Sequence, residues 1–271
     1  MSFPVEADPW SSLRQFTQAR IALGRVGDSL PTSALLDLSI AQAAAQDAVY
    51  SVLDTSSILQ QLAATSFDSA VVHSMAVDRP CYLKRPDLGR QLDADSRRRL
   101  DAIRGEQSPD LVFVIADGLS APAVAQHAIP LLSELRKSMD DSWHIGPIVI
   151  AEQARVALGD EIGEVLGAGL VVVFIGERPG MSASDSLGIY LTYGPQRGRS
   201  DADRNCISNV RLHGLPNAVA ASRLLYLITA AKQFGRSGVL LKDDSEEVAG
   251  SLTLDGEEGD RPDTPLRQQL R

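Results

Sequence analysis

Three short runs of almost continuous hydrophobic residues stand out in the second half of the chain. They cover Asp110–Ala116, Ile145–Ala151 and Gly169–Gly176, and each is followed by polar turn residues. Uninterrupted apolar runs of this length are typical of strands that are buried on both faces. Strands that alternate with helices favour right-handed crossovers in a parallel sheet. We therefore predict an α/β fold with a doubly wound, mostly parallel, Rossmann-like sheet.

The segments around these runs complete the predicted sheet domain, which spans residues 91–242. A fourth strand is expected at Ser186–Tyr193, and the residues from Gly194 to Gly214 are expected to form a long loop. Apolar spacing of three and four residues predicts the helices of this domain: about Ala94–Arg104, Ala121–Met139, Arg155–Leu166 and Asn217–Phe234.

Residues 1–90 have a different pattern and are predicted to form a helical N-terminal region. Their Ala-rich composition and apolar spacing predict helices at about Trp10–Arg20, Leu35–Leu53 and Thr55–Thr65. Cys81–Lys84 is expected to be a short extended piece, and no strand is predicted before Val71. This region is predicted to cap the sheet domain and to provide a docking surface.

Charge is concentrated at the C-terminal end of the chain. The 271 residues carry a formal charge of −9, but residues 243–271 hold nine acids and three bases, so the body carries only −3. The last 29 residues are rich in Asp, Glu, Gly, Ser and Pro, a composition that cannot offset its ordering entropy, so a disordered acidic tail is predicted. The near-neutral body argues against binding of nucleic acid.

Composition excludes several further classes. The longest apolar stretch is far shorter than the roughly 20 residues of a membrane span, and the N-terminus shows no secretory pattern. Cys81 and Cys206 stand alone, so they predict neither a CxxC metal pair nor a disulfide framework. The four histidines form no HxH or HxxxH pair, which leaves a metal site without support. A cytoplasmic protein is expected.

The carboxyl ends of parallel strands are where open α/β sheets bind ligands. The rule selects the loops that follow each predicted strand. Asp117-Gly118 offers one glycine where the dinucleotide fingerprint needs three. It is either a tight turn with Ser120 as helix N-cap or a place of direct ligand contact. Ser120 as a nucleophile is disfavoured, because the segment lacks the second glycine of a GxSxG elbow.

Two other loops carry polar residues without a decisive pattern. Glu177-Arg178-Pro179 directly follows a buried strand, so one charged side chain could face the crevice or the two could form a surface ion pair. The polar segment from Asp203 to Asn209 lies in the predicted long loop. Long loops inside compact domains are usually functional or disordered. The residues alone leave these alternatives open.

Taken together, several segments make the chain resemble the small (light, β) subunit of ethanolamine ammonia-lyase. The combination of IGERPG with DRxCISN is the specific part of this resemblance. The matching segments, in chain order, are ARIALGRVGDSLPT (Ala19–Thr32), YLKRPDLGRQL (Tyr82–Leu92), VIADGLS (Val114–Ser120), DEIGEVLGA (Asp160–Ala168), VFIGERPGMSASDSL (Val173–Leu187), DRNCISN (Asp203–Asn209) and GRSGVLLKD (Gly235–Asp243).

The resemblance implies a role in a hetero-oligomeric lyase that converts ethanolamine to acetaldehyde and ammonia by a radical mechanism with adenosylcobalamin. The large subunit is then expected to hold the substrate and all catalytic residues, with cobalamin at the subunit interface. This chain alone is expected to be inactive. It lacks the long N-terminal extension of some family members, so a cytoplasmic location is expected, with a bacterial microcompartment as the alternative.

By the same resemblance, Val156, Glu177 and Cys206 are expected to contact cobalamin. Val156 can supply apolar packing, and Glu177 can accept hydrogen bonds from corrin amides with charge-assisted strength. Second-rank candidates are Arg178, Asn209, Asp117 and Ser120. The Arg20–Arg25 and Arg85–Arg90 segments are expected near the cofactor edge or the interface. No D-x-H-x-x-G motif is present, so base-on cobalamin is expected.

Two other functions remain as alternatives at this stage. A nucleotide- or NAD-binding enzyme would use the same kind of sheet, but the missing glycine fingerprint counts against it. A stand-alone cobalamin-binding carrier or sensor would need no large subunit. Binding of NAD without a partner would support the first alternative, and a coloured protein purified without a partner would support the second.

Overall fold

A six-stranded sheet organises the chain in the computed structural model, which describes residues 5–65 and 67–245. In chain order its strands are β1 (Ser69–His73), β2 (Leu111–Ala116), β3 (Ile148–Glu152), β4 (Leu170–Gly176), β5 (Leu187–Tyr193) and β6 (Arg204–Val210). Across the sheet the order is β1-β3-β2-β4-β5-β6. The first four of these are mutually parallel, whereas β5 is antiparallel to both β4 and β6. The mostly parallel sheet predicted from the sequence is confirmed.

Helices pack on both faces of this sheet. The described residues contain the helices α1 (Thr32–Tyr50), α2 (Thr55–Ala63), α3 (Arg79–Lys84), α4 (Ala94–Ala102), α5 (Ala121–Ser138), α6 (Leu158–Leu166) and α7 (Asn217–Phe234). Alternate strand residues point to opposite faces. Phe113 and Ile115 of β2 therefore pack in one apolar cluster with α5 and α7, and Val112 and Val114 pack in a second with α4 and α6. The finer description as Rossmann-like and doubly wound stays a prediction.

Two predicted elements of the N-terminal region differ from the structure. The helix expected at Trp10–Arg20 is a short 3₁₀ helix, Ser11–Phe16, with no buried residue, so it lacks the packing that sustains a short α-helix. The extended piece expected at Cys81–Lys84 is helix α3. Asp78 caps it by accepting a hydrogen bond from the Cys81 amide at 2.7 Å, and a proline in the first turn suits a helix start.

The sheet also contains two strands that the sequence pattern did not reveal. β1 lies within residues 1–90, the predicted helical region, and pairs with β3 through its whole length. The predicted division at residue 90 stays a prediction. The long loop expected at Gly194–Gly214 is wrong, since it contains β6, which pairs with β5. Of the predicted tail 243–271, residues 246–271 lie outside the described residues.

The reversal of β5 changes which loops meet at the carboxyl edge of the parallel strands. Gly194, which follows β5, donates its amide hydrogen to the carbonyl of Gly169 at the start of β4, so it lies at the opposite edge. The end of β6 returns to the carboxyl edge beside the loop that follows β4. The strand-end rule selected the residues after β5 as if β5 were parallel to its neighbours, but β5 is antiparallel to β4. Among the described residues, we find no helix with the length and apolarity to span a membrane.

Candidate functional site

One face of β5 and β6 lies open beside α6. Tyr190 packs against the same apolar cluster as α4 and α6 and is half-buried, while Cys206, its cross-strand partner on β6, is exposed. Gly188 and Ser208 lie further towards the carboxyl edge, with Ser208 exposed. We call the surface formed by Gly188, Tyr190, Cys206 and Ser208 the open face. Tyr190 has the largest side chain of this surface, and the other side chains are small.

Glu177 is fixed at the carboxyl edge of the open face. Its carboxylate accepts hydrogen bonds from the Ser186 hydroxyl at 2.6 Å, from the Ser208 hydroxyl and from the Asn209 amide at 3.2 Å. A Cβ atom added to Gly188 would lie 3.0 Å from Glu177 Oε1, so the carboxylate rests directly over this glycine. A carboxylate has about four acceptor sites, so three donors orient Glu177 and leave roughly one site for a ligand.

Val156 lies in a cleft that adjoins the open face. The cleft has a volume of about 420 Å³, and Val156 and Tyr190 both line it. Its other lining residues are Pro86, Arg90, Arg155, Ala157, Arg199, Ser200, Asp201 and Arg204. The three residues that the resemblance selected for the cofactor, Val156, Glu177 and Cys206, are thus brought around Tyr190.

The polar groups at the centre of the open face stay protonated at neutral pH. Desolvation raises the pKa of the Cys206 thiol, the negative charge of Glu177 raises it further, and a hydrogen bond with Tyr190 opposes the shift. Desolvation, followed by the influence of Cys206, also raises the pKa of the Tyr190 hydroxyl. Both groups therefore act as neutral hydrogen-bonding groups, and Cys206 lacks the lowered pKa of a reactive cysteine.

Asp117, a second-rank candidate, is buried and connects two turns. One carboxylate oxygen accepts from the amides of Gly118 and Ala154, at 2.8 and 2.9 Å, and the other accepts from the amide of Gln153 at 2.9 Å. Burial raises the pKa of Asp117 even though these bonds and the nearby Arg79 lower it. Asp117 thus joins the turn after β2 to the turn after β3.

Ser120 is also buried, and its side chain is the N-cap of α5. It accepts a hydrogen bond from the Ala123 amide and donates one to the Ser184 carbonyl at 2.6 Å. Gly118 has a φ of +59°, as expected in a tight turn. The interpretation of this segment as a tight strand-to-helix turn is confirmed. Neither side chain reaches the open face. Cofactor contact by Asp117 or Ser120 stays a prediction.

The other second-rank candidates lie at the edge of the open face. Arg178 is exposed immediately after Glu177. Asn209 has a left-handed φ of +62°, and this conformation turns its amide towards Glu177. The side-chain oxygen of Asn209 accepts from Arg211 Nε at 2.7 Å. Asn209 therefore positions Glu177 through its backbone.

Sequence reasoning missed several residues of this site. Tyr190 was assigned only to a predicted strand, although the period of two along Gly188, Tyr190 and Thr192 places these three on one face. The arginines of the cleft come from three distant segments of the chain. Arg90 lies in the Arg85–Arg90 segment expected near the cofactor edge or the interface. Arg155, Arg199 and Arg204 lie in loops that the strand-end rule selected, but none of the cleft arginines was named as a ligand residue.

Comparison with known proteins gives a consistent result. The family model described as ethanolamine ammonia-lyase light chain (EutC) matches residues 7–242. The chain is 52% identical over 243 residues to the ethanolamine ammonia-lyase small subunit of Pseudomonas syringae pv. tomato. The aligned region covers 89% of this chain and 85% of that relative. Relatives with the same name in Pseudomonas fluorescens Pf0-1 and Pseudomonas putida GB-1 are 51% and 50% identical, each over 93% of this chain and over 92% and 96% of their own lengths.

Proposed function

Because this chain belongs to the ethanolamine ammonia-lyase light-chain family, we propose that it acts with a large subunit to convert ethanolamine to acetaldehyde and ammonia. The complex uses adenosylcobalamin, and the open face of this chain holds one side of that cofactor. The large subunit covers the other side and carries the substrate and the catalytic residues. The observation that carries the proposal is the convergence of Val156, Glu177 and Cys206 around Tyr190.

The shape and chemistry of the open face fit a corrin ring. A corrin is a broad, largely apolar disc with amide side chains at its rim, so it needs a flat surface with acceptors and donors at the edge. Gly188 keeps the surface low beneath Glu177, because any side chain there would meet the carboxylate. Tyr190 and Val156 offer apolar contact from the centre and from the cleft.

Each of the three selected residues then has a distinct task. Glu177 accepts a hydrogen bond from a corrin amide through its remaining acceptor site. Cys206 offers a neutral thiol, so cofactor binding does not bury a charge at this position. Val156 packs against the edge of the disc. Bound adenosylcobalamin supplies the radical chemistry, and this chain binds and orients the cofactor and excludes water from one side.

The positions of the histidines support base-on binding. His127 is buried under the sheet face that carries α5 and α7, away from the open face. The His144 ring lies within hydrogen-bonding distance, 3.2 Å, of the Ser108 carbonyl near the opposite edge of the sheet. No histidine lines the cleft around Val156 in the described part of the chain. Neither His127 nor His144 is therefore placed to replace the cofactor's own base.

Reconstitution tests the proposal directly. The chain and a family large subunit are purified separately and mixed with adenosylcobalamin, and ammonia release from ethanolamine is measured with each component left out in turn. We expect activity only from the complete mixture, with the cofactor absorbance co-eluting with the two-subunit complex. An inactive complete mixture, or cofactor retained by the large subunit with unchanged affinity when this chain is omitted, would contradict the proposal.

A further inference from the structure

The cleft beside Val156 is unusually rich in arginine for a chain with a net charge of −9. Four arginines line it against one aspartate: Arg90, Arg155, Arg199 and Arg204 against Asp201. They converge from the turn before α4, the turn after β3 and the segment that leads into β6. A concentration of guanidinium groups in a concave site attracts anions.

Two of these arginines already have partners within the chain. Arg199 donates two hydrogen bonds to the carbonyl of Gly194, at 3.1 and 2.9 Å. Arg204 is almost fully buried and forms ion pairs with Asp160 and with Asp201. Arg199 also lies 3.6 Å from Asp203. These contacts fix one wall of the cleft, and the ion pairs balance the charges of both arginines.

The other two arginines are not neutralised. The Arg155 guanidinium stacks over the Tyr82 ring at 4.3 Å and donates to the Tyr82 carbonyl at 3.4 Å. Its Nε atom is buried and has no hydrogen-bond partner within the described part of the chain. Arg90 is exposed and forms no ion pair with any described residue. The cleft thus holds one oriented and one exposed guanidinium that form no ion pair with the residues the structure describes.

The start of α6 adds a second source of positive potential to the same cleft. Val156 and Ala157 line the cleft, and α6 begins immediately after Ala157 without a side-chain cap. The first-turn amides and the dipole of a helix favour an anion at such an end. The acids of the first turn do not supply one, because Asp160 pairs with Arg204 and Glu161 with Arg97.

We infer that Arg90, Arg155 and the start of α6 form a phosphate-binding subsite for the nucleotide arm of cobalamin. The inference rests on the proposed function, since Val156 borders both the cleft and the expected corrin edge. The group recognised is a phosphodiester, whose two free oxygens match the paired N–H donors of a guanidinium. Arg155 supplies the oriented donors, and Arg90 closes over the anion from the solvent side.

Cobinamide provides the decisive comparison, because it retains the corrin and its amides but lacks the nucleotide arm and its phosphate. Dissociation constants for cobalamin and for cobinamide are measured with the assembled two-subunit complex by titration calorimetry. The variants are Arg90→Gln, Arg155→Gln and the conservative Arg155→Lys. Arg136→Gln is the matched control, because Arg136 is a paired surface arginine near the C-terminal end of α5.

We expect Arg90→Gln and Arg155→Gln to weaken cobalamin binding about tenfold or more, as for loss of a hydrogen bond to a charged group. Cobinamide binding should change less than about twofold, and Arg155→Lys should recover part of the cobalamin affinity. Inorganic phosphate at millimolar concentration should weaken cobalamin binding to the wild-type complex but not cobinamide binding.

Three results would overturn the subsite. Equal losses for both corrinoids would show that the arginines only shape the corrin surface. Unchanged cobalamin affinity in both Gln variants would show that they contact no ligand. Variants that bind the large subunit weakly but bind both corrinoids normally once assembled would show that the arginines contact a carboxylate of the partner. A wild-type complex that binds neither corrinoid would overturn the proposed function itself, and the subsite with it.

Discussion

At the scale of single residues, Glu177 is a preoriented acceptor. Three donors from the chain hold its carboxylate, so it has little conformational freedom to lose when a ligand binds. We predict that Glu177→Gln weakens cobalamin binding to the complex about tenfold or more, because the charge that strengthens the bond is gone. Titration of the complex with the cofactor measures this. Glu134→Gln, at a half-buried position of α5 where the carboxylate pairs with Lys137, should have no effect.

An unchanged affinity of the Glu177→Gln complex would remove Glu177 from the cofactor site. Since Ser186, Ser208 and the Asn209 amide bind this carboxylate, the variant also needs a check of its fold. Circular dichroism and the midpoint of thermal unfolding provide that check, and a modest loss of stability is expected because the three donors keep a weaker acceptor.

Gly188 tests the flatness of the open face. A Cβ at this position would meet Glu177 Oε1 at 3.0 Å, Glu177 Cγ at 3.1 Å and Tyr190 Cε2 at 3.2 Å. We predict that Gly188→Ala displaces Glu177 and weakens cofactor binding several-fold, with little effect on the secondary structure. Gly180→Ala is the control, since nothing lies within 4 Å of a Cβ there. If both alanine variants bind the cofactor equally well, the open face does not require a bare backbone at Gly188.

At the scale of elements, a buried ion pair connects α6 with β6. Asp160 of α6 contacts Arg204 at the start of β6, and both side chains are 2% exposed. Desolvation raises the pKa of Asp160 from 3.8 to about 6, although the charge of Arg204 opposes the shift. The folded chain therefore retains a proton that the unfolded chain has released between about pH 4 and pH 6.

The pH dependence of unfolding tests this connection. Because the pKa of Asp160 is higher in the folded state, its contribution to the free energy of unfolding is full below about pH 4 and is lost as the pH rises through about 6. Asp160→Asn stays neutral at every pH. We predict that the wild-type chain loses roughly 3 kcal/mol relative to this variant between pH 4 and pH 7. Urea denaturation of both proteins measures it, and parallel curves would refute it.

The elements that the sequence predicted well are those whose pattern follows from burial on both faces. β2, β3 and β4 are continuous apolar runs, and nearly every residue in them is buried. β6 could not be predicted in this way, because it is an edge strand with one open face. Its sequence RNCISNV alternates buried and exposed positions irregularly and contains polar residues that favour a loop.

The same distinction explains the site. The resemblance to a family supplied Val156, Glu177 and Cys206, and the structure brings them together only because β5 is reversed and β6 returns to its side. Tyr190 and the arginines of the cleft depend on contacts between distant segments. Arg155, for example, is oriented by the ring of Tyr82 from helix α3. No local pattern in the sequence contains that information.

At the scale of the whole molecule, α1 presents an apolar surface that the rest of the described chain does not cover. Ala48 is its only buried residue, whereas Leu36 and Ile40 are 59% and 68% exposed. These two residues are four positions apart and lie on one side of the helix. Contiguous exposed apolar residues on one helix mark an interaction surface. The large subunit is the partner expected for a member of a light-chain family, so we predict that this surface contacts it.

Introducing negative charge on α1 tests that prediction without changing the open face. We predict that Leu36→Glu combined with Ile40→Glu weakens binding of the large subunit at least tenfold, about 1.4 kcal/mol, because two carboxylates would be buried at the interface. The isolated chain should keep its circular dichroism spectrum and its unfolding midpoint, since neither side chain is buried in it. Val239→Glu, at a position 77% exposed near the opposite edge of the sheet, is the matched control and should assemble normally. Sedimentation of the mixed subunits measures the affinity. Normal assembly of the double variant would place the interface elsewhere on the molecule.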